Sequence, residues 1–144
     1  MTRTLIALCC AALLGWTAAA RGQAGAPAER IAYHFGDGVE QAWRGLQYIR
    51  NHLEANPKAH IVVVAHAAGV DFLVKGAKSA RGNEFQHAIE ELDLQGVSFK
   101  VCEITLRERG MQRSQFVKEA TFVPSGVAEL GRLQSREGYA YIRP

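Results

Sequence analysis

The chain has 144 residues, 22% of them charged, and a formal charge of +3. So mild an excess, with no dense Lys/Arg run interleaved with aromatics, gives no electrostatic footing for nucleic-acid binding. Its three cysteines, two of them adjacent at Cys9 and Cys10, leave Cys102 alone in the rest of the chain, which excludes an internal disulfide framework there.

Arg3, the apolar run Leu5 to Leu14 and Ala18-Ala19-Ala20 have the layout of an export signal. Cleavage is expected after Ala20 or Ala26, making residues 1–26 signal and leader and residues 27–144 one domain. The apolar run falls short of the ~20 residues that span a bilayer. The expectation is therefore a periplasmic or secreted protein with no membrane anchor after cleavage. A domain of this size buries about two-thirds of its unfolded surface without staples.

Strand and helix patterns then alternate. Arg30 to Phe35 reads as a strand, Gly36-Asp37-Gly38 as a turn with Asp37 a cap, and Val39 to Glu54 as a helix. In that helix Trp43, Leu46, Ile49 and Leu53 recur at helical spacing, interrupted by Arg50. The β-branched run His60 to His66 reads as a strand covered on both faces, as in a parallel sheet. Ala67 to Gly69 reads as a loop, Asp71 to Lys78 as a short helical turn, and Ser79 to Asn83 as a surface loop. Phe85 to Leu94 is a second helix, closed by Gly96. A strand ending at Cys102 follows, then a short helix, Thr105 to Arg109, stopped by Gly110. Ala120 to Val123 is a fourth strand. Ser125 caps a helix reaching about Arg136, with Val127, Leu130 and Leu133 as its stripe. Gly138 closes that helix and Tyr139 to Ile142 is a last strand. Five strands alternating with helices predict an open α/β sheet, mostly parallel, with helices on both faces.

In such sheets the binding crevice lies outside the carboxyl ends of the strands. His34, His66 and Cys102 stand at three of those ends, and Ser125 opens a helix beyond a fourth, a possible anion seat. A thiol just before a helix feels the positive end of its dipole, and Arg107 and Arg109 add positive charge. Cys102 is thus a small buried hydrophobe, a cross-linker between chains, or a working nucleophile. His34, His66, Arg109 and Ser125 are binding candidates, each histidine also reading as a hydrogen-bonded core residue. No closely spaced ligand pair supports a metal, and there is neither a phosphate loop nor a G-x-S-x-G elbow. No metal and no cofactor are expected.

Cys102-Glu103-Ile104-Thr105-Leu106-Arg107-Glu108-Arg109-Gly110 resembles the DsrE/DsrF-like family. So do His60 to His66, Gly96-Val97, and Val123-Pro124-Ser125-Gly126-Val127-Ala128-Glu129-Leu130. The likeness runs from Arg30 to Ile142. The resemblance implies a five-stranded α/β fold, homo-oligomers such as trimers or hexamers, and in some members sulfur relay through one transiently persulfidated cysteine, which matches Cys102. The expected function is that of a sulfur carrier or thiol-exchange protein working between an unidentified sulfur donor and acceptor. The alternative is a non-catalytic oligomeric module that binds a small anion or metal. Trp43, Tyr139 and Tyr141 are the expected contact aromatics.

Overall fold

The computed structural model describes residues 28–144. The expected export signal and leader, residues 1–26, lie outside them. Strand β1 (Arg30–Phe35) is followed by helix α1 (Val39–Ala55), β2 (His60–Ala65), a 3-10 segment Ala67–Leu73, α2 (Gln86–Leu94), β3 (Ser98–Cys102), α3 (Glu103–Arg109), β4 (Ala120–Val123), α4 (Gly126–Glu137) and β5 (Ala140–Ile142). The five strands form one sheet in the order β4-β3-β2-β1-β5, and every pairing is parallel. All strand carboxyl ends therefore lie along one edge.

The alternation of side chains along each strand divides the core in two. Ile31, Tyr33, Phe35, Ile61, Val63, Phe99 and Val101 face α1, α2 and the 3-10 segment, where Leu46, Ile49, Phe72, Ile89 and Leu92 are fully buried. Each such side chain contributes about 1.5–3 kcal/mol by leaving water. The Phe72 ring lies 5.4 Å from Phe35, 5.8 Å from Phe85 and 6.1 Å from Phe99, centroid to centroid, so the 3-10 segment is locked onto the sheet. On the opposite face Ala32, Val62 and Val64 pack against Leu130 and Leu133 of α4. Among the described residues no helix is long and apolar enough to cross a membrane.

Several local expectations are corrected. Asp37 does not cap α1. Gly38 is the cap position and has no side-chain cap bond, while both Asp37 carboxylate oxygens accept from Arg143 at 2.7 and 2.8 Å. The helical turn expected at Asp71 to Lys78 starts earlier, at Ala67, and ends at Leu73. Val74 then pairs with Phe116 and Lys78 with Glu84 in antiparallel bridges. Val127 is 66% exposed rather than part of the α4 stripe. The helix meets the sheet at its first residue, Gly126, and the buried set is Gly126, Glu129, Leu130 and Leu133. Apart from these corrections, Trp43 is partly buried and edge-on to Phe85 at 5.6 Å, Tyr139 is partly buried against the smaller core cluster, and Tyr141 is exposed.

Candidate functional site

Residues two apart on a strand share a face. His34 of β1, Lys100 and Cys102 of β3 and Tyr141 of β5 all lie on the α4 side, as does His66 one step past β2. The register continues this row. Ala65 pairs with Val101, so His66 stands beside Cys102, and Ala32 pairs with Tyr141. Across β3, β2, β1 and β5 the carboxyl edge thus presents Cys102, His66, His34 and Tyr141 in order.

The last three are hydrogen-bonded. Nε2 of His34 lies 2.5 Å from Nε2 of His66, and Nδ1 of His34 lies 2.7 Å from the Tyr141 hydroxyl. The two imidazoles meet edge to edge, centroids 4.7 Å apart and planes inclined by 27°. Burial pushes the His34 pKa down to about 4, assisted by the neighbouring His66 and Arg143 and opposed by Asp37. Burial and Arg143 also lower His66. Both rings are neutral at pH 7.

Gly126 roofs the junction between His66 and Cys102. A β-carbon there would stand 3.2 Å from the Cys102 β-carbon and 3.3 Å from that of His66, so a methyl group would fit only if both neighbours gave way by a few tenths of an ångström. This close approach brings the start of α4 against Cys102. Cys102 is only 4% exposed. Burial raises its pKa, but N–H groups of Gly126, Thr105 and Ile104 and the Thr105 hydroxyl outweigh it, and the thiol sits below its ordinary value. The thiolate is favoured because backbone donors replace the water it has lost. The Ile104 and Thr105 donors are the start of the helix expected to act on the thiol; Gly126 and the Thr105 hydroxyl join them, and Arg107 and Arg109 take no part.

Arg109 turns away from the sulfur. It pairs with Asp71 at 2.7 Å and donates to the Ala67 carbonyl at 3.0 Å. The Ala67 N–H in turn donates to Thr105 Oγ1 at 2.9 Å. These bonds hold Ala67 at φ 48°, a left-handed conformation that costs a residue with a β-carbon about 1–2 kcal/mol. Arg107 is exposed. Ser125 caps α4, its Oγ accepting from the Ala128 N–H at 3.3 Å, so its hydroxyl is committed to the helix. Cys102, His66 and His34 are thus brought together, Ser125 flanks them through Gly126, and Arg109 is diverted.

Sequence reasoning missed Gly126, Thr105 and the bonding role of Tyr141. Tyr141 joins the row only because β5 lies beside β1, an order that the strand patterns do not reveal. Among the described residues no group of three or more His, Cys, Asp or Glu is arranged to hold a metal ion.

A parallel α/β domain with a lone thiol supported at its carboxyl edge is the architecture that the cysteine motif resembles. The DsrE/DsrF-like family model matches residues 20–144, and the chain belongs to that family. Among solved structures it is similar to the protein of unknown function MTH1491 from Methanobacterium thermoautotrophicum, with 33% identity and a TM-score of 0.70, over 81% of this chain and 99% of that one. It also shares its fold with the ychN protein of E. coli, at 16% identity and a TM-score of 0.65, with the same coverage. Comparison with curated proteins gave no match.

Proposed function

We propose that the protein carries sulfur as a persulfide on Cys102, in the periplasm or outside the cell. The observation that carries this reading is the sulfur's place: Cys102 is 4% exposed, is the residue at which β3 passes into α3, and lies under Gly126 at the start of α4, where neighbouring N–H groups lower its pKa. In the loading step the Cys102 thiolate attacks the sulfane sulfur of a donor persulfide or polysulfide. An Sγ–S bond forms, the donor's S–S bond breaks, and the donor leaves as a thiolate. Sulfur moves without change of oxidation level, so no oxidant is required. The terminal sulfur then stands one S–S bond, about 2 Å, farther out, where an acceptor thiol takes it by the reverse reaction. At 4% exposure, the thiol suits a slender sulfane species as its donor.

The same burial favours a second reading, in which Cys102 fills space and the oligomer binds a small anion or metal at this edge. Intact-mass analysis after incubation with inorganic polysulfide separates the two. A reductant-sensitive gain of one sulfur, mapped to the Cys102 peptide and absent from Cys102→Ser, supports the carrier. A native protein unmodified until it is denatured overturns it in favour of the binding module.

A further inference from the structure

The carrier reading leaves open which group takes the thiol proton and returns one to the departing donor. The carboxylates around the site are engaged. Asp37 is held by Arg143, Asp71 by Arg109 and Glu103 by Arg113. One turn along α4, Glu129 is shared between Lys100 and Arg132. The imidazole beside Cys102 is not paired with a charge. Its Nε2 faces His34, and its Nδ1 makes no hydrogen bond among the described residues.

We infer that His66 is the acid–base partner of Cys102, with His34 and Tyr141 as the residues that position it and choose its tautomer. Two neutral imidazoles whose Nε2 atoms meet at 2.5 Å share one hydrogen between them. When His66 owns that hydrogen, its Nδ1 is a bare base. His34 Nε2 then accepts, and His34 Nδ1–H donates to the Tyr141 oxygen. When His34 owns it, His66 carries its hydrogen on Nδ1 and is an acid, and the Tyr141 hydroxyl donates to His34. A tyrosine serves both arrangements because its hydroxyl donates and accepts. The low pKa of both rings keeps them neutral, and so available as a base, at pH 7.

For a thiol meeting a donor R–S–SH, the step balances. His66 Nδ1 takes the Cys102 proton, Sγ bonds the terminal sulfur, the donor S–S bond breaks, and the leaving thiolate receives the proton from His66. The products are Cys102–S–SH and R–SH. This exchange rests on the carrier reading; the proton coupling between His66 and Cys102 does not.

The test is the pH–rate profile of Cys102 alkylation by iodoacetamide, read at the Cys102 peptide, in the full chain and in His66→Gln, His34→Gln and Tyr141→Phe. His66→Gln should lose about tenfold or more in rate on the acid side of the thiol pKa and keep the alkaline rate, general-base contributions being of order 10²–10⁴. His34→Gln and Tyr141→Phe should shift the same limb toward higher pH. A merely structural change would alter the rate at every pH. A His66→Gln profile that superimposes on wild type overturns the inference; unshifted His34→Gln and Tyr141→Phe profiles overturn the positioning roles. Nuclear magnetic resonance of His66 in the unmodified protein guards against a misfolded variant. Its titration should carry an alkaline inflection that Cys102→Ser removes, and two identical titrations would also overturn the pairing. A coupled profile without a polysulfide adduct would sink the carrier reading alone.

Discussion

Gly126 lies over Cys102 so closely that a β-carbon on it would stand 3.2 Å from the cysteine β-carbon, and its N–H is among the groups that lower the thiol pKa. The first prediction follows from that contact. Gly126→Ala should lose stability relative to Gly131→Ala, because its methyl must push the Cys102 and His66 β-carbons aside, and should raise the thiol pKa as the start of α4 moves off the cysteine. Gly131, on the same helix with nothing within 4 Å of its would-be β-carbon, is the control. Gly131→Ala should stabilise by about 0.5–1 kcal/mol and leave the thiol alone. Urea unfolding and thiolate absorbance measure both; equal effects at the two positions would refute the contact.

Arg109 should act on the chain path rather than on sulfur charge. Its pair with Asp71 is 39% and 35% exposed, and such pairs are worth about 0.2–1 kcal/mol. Arg109→Ala should therefore unfold only slightly more easily. Amide exchange should speed up at Gly69, whose N–H bonds the His66 carbonyl, while the thiol pKa stays put. A thiol pKa that rises would show Arg109 to be a charge partner after all.

Glu129 gives the fold an acid-sensitive link. Its bonds to Arg132 and Lys100 hold its pKa near 2, below the ordinary 4.5, against the opposing effect of burial. A carboxyl depressed on folding stabilises fully above its unfolded pKa and loses that contribution as pH falls through its folded one. Wild type should lose stability between about pH 5 and pH 2, and Glu129→Gln should show less of that loss. At pH 7 the substitution should cost about 1.5–3 kcal/mol, the range for hydrogen bonds to charged groups. Denaturant midpoints across that range decide it; parallel curves for the two proteins would remove Glu129 from the account.

We propose that the chain self-associates through its exposed Tyr48, Leu94, Val127 and Tyr141. Sedimentation at micromolar concentration should give a trimer or hexamer, well above the 15.8 kDa of one chain. A single monomeric boundary would contradict it.

Export is tested by N-terminal sequencing of the protein from its native host. Chains beginning after Ala20 or Ala26 in the periplasmic or secreted fraction are expected. Cytosolic chains that begin at Met1 would return the site to a reducing compartment.

The elements were legible in the sequence because their signals are local. β1 and β4 have the bounds that their β-branched and aromatic runs predict, and α1 extends one residue past the expected end. Side-chain destinations were not legible where a distant partner decides them. Asp37 looked like a cap until Arg143, 106 residues away, claimed it. Arg109 looked like a charge for the thiol until Asp71 and the Ala67 carbonyl claimed it. Val127 fitted an apolar stripe whose phase is set by the depth at which Gly126 meets the sheet. The site residues Cys102, His34 and His66 could be placed at strand ends from pattern alone. Of the groups that support the sulfur, the start of α3 was legible because it follows Cys102 in the chain, and Gly126 was not, because it arrives from a distant helix.

Main-chain donors have no residue identity. The amides of Gly126, Thr105 and Ile104 depend on where two helices begin, and hardly on which letters spell them, except where Gly126 must remain small. Substitution around the sulfur can therefore run far while its electrostatic setting persists, provided α3 and α4 keep their starting points. The vulnerable changes are insertions or deletions that shift a helix start by one residue. In this architecture the reactivity of the thiol is a property of chain trace, inherited with the fold itself.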